Sequence, residues 1–455
     1  MRLRALSGWL AATTGLAACA TSPPSGESAP PATPAVASAP SAAPPVDPPA
    51  ESAEEAARRA LLAKLQPKLD EALARVALAR GVASPKPVKL AVVDRPTILK
   101  YLQSKVDREM PAHVLRAQGD FLTALELVPA NYDFTTRTLE LVKDALAGYY
   151  EPDDATMYLA ADLPESAVEP TLLHELGHAL QDQSFDLKGK LAYRPGESDR
   201  VAAYQTLAEG DANEAMFAAM GTVAPNPGLL RKAMLAELWV GQLGKGTPSV
   251  LLESLVTPYV DGGALVGALR DRGGWSAVDA VWRAPPDTTE QLLHADKLKR
   301  REPAKAVPPL ALGPYADWKV ALDDVMGEQG LRVVVTDWSS AAEATATAAG
   351  WGGDRWVVLE KAGPGEGERQ VALVWKITFD TQADAAELAS KLTKKWGVGC
   401  RERPTLGPLA HLRRGADVVL VAGPFVRTAA GAKAAAPTGC AEASKWAQTA
   451  AATTK

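Results

Sequence analysis

The chain has 455 residues, enough for two or three domains with cores of their own. With 47% hydrophobic and 23% charged residues it has the composition of an ordinary globular protein. A formal net charge of −5 and a pI near 5.7 offer no basic surface, so no nucleic-acid partner is expected.

The first residues, MRLRALSGWLAATTGLAAC, set Arg2 and Arg4 before an apolar run. That run is too short to span a membrane and ends in small residues, as in a secretory signal. Leu16-Ala17-Ala18-Cys19 resembles a bacterial lipobox. Cleavage before Cys19 would leave it carrying several acyl chains, which anchor stably where one would not. The alternative is a plain signal peptide with a chance cysteine. Ala20, by resemblance to sorted lipoproteins, points to the outer membrane of a Gram-negative cell. The expected location is therefore the bacterial cell envelope, periplasmic or surface-exposed, with the lipid bilayer as a partner through the N-terminal acyl anchor. Residues 21–50 hold 10 of the 35 prolines and no aromatic residue, so 20–50 reads as a disordered tether.

From Glu51 to about Gly81 the composition is helical, with an interruption expected near Pro67. Val88–Arg95 reads as a strand, Ile98–Met110 as a helix, and the region around Arg137–Ala147 as another. A turn at Glu151–Asp154 leads to a strand over Ala155–Ala160. Helices are expected through LLHELGHALQDQ (172–183), from Val201 to about Met220, over Pro227–Leu243 and over Ser249–Leu269. From about Leu310 the pattern changes. Arg332–Trp338, Asp354–Glu360, Gln370–Asp380 and Ala416–Gly423 read as strands, with helices over Ala341–Ala349 and Gln382–Lys395. This is a small α+β domain over 310–430, sheet on one side and helices on the other, followed by a low-complexity tail over 431–455. Its tryptophans, Trp338, Trp351, Trp356, Trp375 and Trp396, read as core before partner recognition. Cys400 and Cys440 could pair in an oxidising compartment and close a loop of about 40 residues; the alternative is two buried thiols.

The segment 172–183 carries the chemistry. At 100° per residue, Leu172, Leu173, Leu176, Ala179 and Leu180 share one apolar stripe of roughly 120°. His174 and His178, one turn apart, lie opposite it, flanked by Glu175, Gln181 and Asp182. The i, i+4 spacing brings two ring nitrogens to one side, close enough for a single zinc ion. Glu175 is held back from such an ion but within reach of a water beside it. Two histidines on a polar helix face can also be merely solvated, so a third ligand decides. Glu209, in TLAEGDANEAMF on the following helix, is the candidate, and Glu214 is its rival. His294 is far downstream, and His113 and His411 have no motif around them and read as structural.

HELGH with a downstream Glu on the next helix resembles the gluzincin zinc metallopeptidases, the thermolysin-like group. HELGHALQDQ with AEGDA, then PYVDGG and PPDTTEQLLH, is similar to a family of predicted bacterial and archaeal metallopeptidases, over roughly residues 85–425. The resemblance implies α+β architecture: a mainly helical zincin-like metallopeptidase domain over 51–309 with a short edge sheet, plus the small C-terminal domain. It implies one Zn2+ on His174, His178 and Glu209, and Asn213 buttressing a ligand histidine. Glu175 would be the general base for zinc-activated water in hydrolysis of a peptide or protein substrate. Tyr259 and His294 are the candidates for stabilising the oxyanion. Asp182 either orients a ligand or is a solvated carboxylate at the helix end. The strand Ala155–Ala160 would form the edge of the cleft and pair with an extended peptide, with Tyr149 and Tyr150 near it. Two other readings stand beside this one: a catalytically silent scaffold or binding module, and a zinc amidase acting on cell-wall material.

Overall fold

The computed structural model describes residues 53–242, 245–435 and 439–452. The expected signal, Cys19 and the Pro-rich tether lie outside these residues. The chain opens with α1 (Ala53–Arg80), which runs unbroken through Pro67. The interruption expected there is absent because Leu65, Leu69, Leu73 and Val76 share a core with the leucines of 172–180, and that burial outweighs one lost backbone bond.

β1 (Lys89–Val93) is followed by α2 (Arg95–Glu109), α3 (Ala112–Ala124) and α4 (Phe134–Ala145), then β2 (Gly148–Glu151) and β3 (Thr156–Ala160). Asp94 and Asp133 cap α2 and α4 by accepting from the backbone N–H of Thr97 and Thr136. The sheet order is β1-β3-β2, with β1 parallel and β2 antiparallel to β3. β3 is therefore the central strand, paired on both sides, and has no free edge for a peptide. The expectation that Ala155–Ala160 forms the cleft edge is corrected, and the outer strands are β1 and β2. Met157 and Leu159 face α5 (Glu165–Phe185), while Tyr158 faces Tyr149 and Tyr101, three rings stacked in series.

After α5 come α6 (Leu187–Leu191), α7 (Ser198–Ala219), α8 (Pro227–Gly241) and α9 (Ser249–Arg283), the last bent at Gly273 and Gly274. Two short helices, α10 (Thr289–Leu293) and α11 (Ala295–Arg300), lead to the C-terminal half. That half contains β4 (Lys319–Asp324), α12 (Gly327–Trp338), α13 (Ala341–Ala348), β5 (Trp351–Ala362), β6 (Arg369–Phe379) and α14 (Gln382–Trp396). It ends with β7 (Cys400–Arg401), β8 (Leu409–Arg414), β9 (Asp417–Thr428), β10 (Gly431–Ala434) and α15 (Cys440–Ala452). Its sheet is antiparallel, in the order β4-β5-β6-β9-β8-β7 with β10 on β9.

Three expectations change here. Arg332–Trp338 is the end of a helix, because Leu331, Val334 and Val335 fall at helical spacing and are buried; tertiary burial overrides the strand preference of three valines. Gly431–Ala434 and Cys440–Ala452 are a strand and a helix, and α15 buries Trp446 and Ala447 against the outer face of the sheet. The sheet is thus covered on both faces. On the inner face, Trp356 and Trp375 meet Phe121 of α3 at ring distances of 4.7 and 5.4 Å, within one core that runs from Val93 to Phe425. Asp120 of α3 receives Arg369 and Arg427 from the sheet. The molecule is mixed α+β, with a C-terminal sheet domain that shares its core with the helical part. Cys400 and Cys440 form a disulfide that ties α15 to β7.

Candidate metal centre

The site is built where α5 and α7 cross. Leu172, Leu173, Leu176, Ala179 and Leu180 are buried against the small sheet and α1, which turns the opposite face of α5 toward α7. Small residues let the helices close. A Cβ on Gly177 would meet the Cα of Ala212 at 3.1 Å, and a Cβ on Gly210 would meet the backbone of Gly262 on α9 at 2.1 Å. Gly177 of HELGH, Gly210 of AEGDA and Gly262, the first glycine of PYVDGG, are therefore crossing points of α5, α7 and α9.

This crossing brings His174, His178 and Glu209 together, with one ligand atom from each inside a 4.8 Å span. Glu209 Oε2 lies 3.3 Å from His174 Nε2 and 3.6 Å from His178 Nε2. Yet that oxygen is buried without a hydrogen bond aligned to it. Three potential ligand atoms this close, one of them a buried carboxylate oxygen without a hydrogen bond, form a set that a metal ion could complete. A tetrahedral ion with ligands at about 2.1 Å sets them roughly 3.4 Å apart, so the spacing and the two-nitrogen, one-carboxylate set both fit zinc. His174 is 2% exposed and Glu209 6% exposed, so any ion here would be largely screened from solvent by protein.

The charges are coupled. Burial works against ionising Glu209, but His178 and His174 outweigh it and hold the carboxyl down at about 2. Burial lowers His174, whereas at His178 the Glu209 carboxylate outweighs burial and raises the ring to about 9.

Gln181 fixes the second histidine. Its amide nitrogen donates to the Ala208 carbonyl on α7 at 2.9 Å, so its oxygen is left to face His178 Nδ1, also at 2.9 Å. Nδ1 must then carry the hydrogen, which turns Nε2 toward Glu209. One amide thus spans the two helices that carry the cluster, gripping His178 and the backbone residue preceding Glu209. Sequence reasoning had seen only a polar neighbour. The available signal was the i, i+3 spacing from His178 on the same helix face.

Glu175 is buried beside the triad at 6% exposure. Tyr259 of α9 lays its ring on His174, centroids 5.9 Å apart and planes 25° apart. Asn213, one turn past Glu209, lines a cavity together with His174 and Tyr259. Glu214 is engaged by Arg270 at 2.5 Å and is not part of the triad. Asp182 accepts from the Lys188 backbone N–H at 3.1 Å, closing the turn into α6, and burial raises its pKa; this is the helix-end role. His294 is not brought to the triad. Its Nε2 sits 2.9 Å from both oxygens of Glu328 on α12, a partner that raises its pKa, so its candidacy as oxyanion donor is withdrawn. The rest of PPDTTEQLLH is equally structural, with Thr289 bonded to Asp199 and the Gln291 side chain to the Glu302 carbonyl. His411 Nε2 donates to the Gly397 carbonyl at 2.8 Å within the C-terminal domain, and His113 is half-buried on α3.

Fold and site together define an α+β protein whose buried His-His-Glu cluster could bind a metal ion. The family described as Domain of unknown function (DUF8575) matches residues 319–433, the C-terminal sheet region, and does not reach the cluster. No curated protein and no solved structure matches the chain.

Proposed function

We propose that the protein is a zinc-dependent peptidase of zincin-like fold, exported and lipid-anchored at Cys19 in the bacterial cell envelope. The observation that carries the reading is the convergence of His174, His178 and Glu209 within 4.8 Å, with Glu175 next to the first ligand on the same helix. One zinc ion held by these three residues would polarise a substrate carbonyl and acidify water. Glu175, buried where competing water is scarce, takes the proton of the attacking water and delivers it to the departing amine. Tyr259, stacked on His174, is the remaining candidate for hydrogen bonding to the developing oxyanion. Gln181 holds His178 in the tautomer that leaves Nε2 available. An extended substrate pairs along β2, the outer strand on this side, whose Gly148 abuts Thr171 of α5.

The test is digestion of a diverse peptide mixture, and of cell-wall fragments, by the zinc-loaded full chain beside Glu175→Gln, with products mapped by mass spectrometry. Peptide cuts that vanish in the variant support the reading. Absence of peptide cuts refutes it, and cuts confined to cell-wall amides would reassign the acyl donor.

A further inference from the structure

On another flank of the α5–α7 crossing, where the ends of α1 and α9 meet it, lies a separate cavity of about 380 Å³. None of His174, His178 and Glu209 lines it, although Gln181 does. Its volume suits one small molecule, since such sites typically measure about 300–1,000 Å³.

The walls hold one donor and one acceptor that the protein leaves open. Arg80 is 5% exposed and is held by two of its nitrogens. Its Nε donates to Asp211 Oδ1 at 2.6 Å, and its Nη2 donates to Asp211 Oδ2 at 3.2 Å and to Asp279 Oδ1 at 2.7 Å. The Trp275 ring lies 4.4 Å from the guanidinium, and Trp282 Nε1 donates to Asp211 at 2.7 Å, so the plane of Arg80 is fixed. Among the described residues Nη1 has no hydrogen-bond partner, and it is not one of their wholly buried unpaired atoms; it opens on the cavity that Arg80 lines. Asp279 Oδ2 likewise accepts no hydrogen bond among the described residues. It lies 4.0 Å from Nη2 of Arg283, whose side chain is 70% exposed at the mouth. Arg80 and Arg283 balance Asp211 and Asp279, so the lining favours neither a bare anion nor a bare cation. Because Arg80 and Asp279 are bonded to each other, the open donor and the open acceptor stand side by side. A single carbon separates the two charged groups of an α-amino acid, which matches that pairing. Val82, Leu180, Phe185 and Ala215 supply apolar wall, with Phe185 stacked flat on Trp282 at 5.2 Å.

We propose that this cavity binds a small zwitterion, a free α-amino acid with an apolar side chain. Its carboxylate accepts from Arg80 Nη1, with Arg283 closing over it from the mouth, and its ammonium donates to Asp279 Oδ2. Its side chain lies on the Val82, Leu180 and Phe185 wall. The site stands apart from the metal centre and does not rest on the peptidase reading.

The test is calorimetric titration of the full chain, with metal removed by a chelator so that the His-His-Glu cluster cannot recruit the ligand through an ion. The probes are L-leucine, glycine, 4-methylpentanoate, which lacks the ammonium, and 3-methylbutylamine, which lacks the carboxylate. Leucine should bind saturably, one per chain, and each of the other three at least tenfold more weakly. Asp279→Asn keeps an acceptor for Arg80 but removes the charge that meets the ammonium, and Arg283→Gln alters only the exposed mouth. Each should weaken leucine at least fivefold at an unchanged unfolding midpoint. If Asp279→Asn unfolds, Arg283→Gln decides alone. No saturable binding of leucine overturns the proposal. So does equal binding of 4-methylpentanoate or of the amine, which would make the cavity a plain anion or cation site. Leucine binding that neither variant weakens would place the ligand elsewhere and overturn it as well.

Discussion

Replacing Gln181 by alanine tests the centre without touching a ligand. The substitution removes two bonds of 2.9 Å, leaving the His178 Nδ1–H and the Ala208 carbonyl without their partner in a buried place. Each orphaned group costs about 1–3 kcal/mol, so the fold should lose roughly 2–4 kcal/mol with some relief from water. The metal should feel a separate loss, because His178 is freed to rotate and to carry its hydrogen on Nε2. Removing a partner of this kind typically lowers metal affinity about 10–100-fold, or about 1.4–2.8 kcal/mol. The assay is competition for zinc between the full chain and a chromophoric chelator at fixed pH, run beside denaturant unfolding. Gln181→Glu keeps an acceptor for Nδ1–H but loses the bond to Ala208, and should fall between wild type and alanine. A folded Gln181→Ala that binds zinc within twofold of wild type would refute both the tautomer argument and the role given to this amide.

Glu175→Gln should leave zinc affinity unchanged and lower turnover about 10²-fold or more, measured on any peptide the wild type cuts; retained turnover would sink the assignment of the base. Burial pushes the Asp199 carboxyl up to about 7 against its bonds from Thr289, with Asp354 and Glu290 adding to the rise. Such a group holds its proton more tightly folded than unfolded, so its stabilising share is full below about pH 4 and is lost as pH rises to about 7. Asp199→Asn should flatten that fall in denaturant midpoints between pH 4 and 7.5, and an unaltered slope would contradict it. The disulfide closes a span of 40 residues. By loop entropy, Cys440→Ser should cost up to about 4 kcal/mol, read from urea unfolding with and without reductant; an equal midpoint in both states would show that α15 stays packed without it.

The cluster of His174, His178 and Glu209 was legible because helical spacing is written into sequence. HELGH fixes two histidines one turn apart, and the leucine stripe states which face is buried. Glu209 could be named but not separated from Glu214 by spacing alone, since that choice depends on Arg270 approaching from α9. Only half of the Gln181 role was readable: its spacing from His178 is written in the sequence, but its second partner is a backbone carbonyl on another helix. Arg332–Trp338 misled because three consecutive valines read as strand, while the burial that makes them helical comes from elsewhere in the fold. His294 looked chemical because Glu328, which occupies it, lies on a helix the sequence pattern did not reveal.

The shared core of the two halves bears on how this protein has been assembled. A recurrent family occupies residues 319–433, yet one face of its sheet, with Trp356 and Trp375, is completed by Phe121 from the other half of the chain. Asp120 beside it answers two arginines of that sheet. Moved alone into another protein, this segment would lose Phe121 from one face of its sheet and Trp446 of α15 from the other, and Arg427 would lose its carboxylate while Arg369 kept Glu360. The portable piece is the sheet together with a helix like α3 on one face and a helix like α15 on the other. Proteins that carry the family should therefore supply a substitute for Phe121 and Asp120, whatever else their remaining sequence has become.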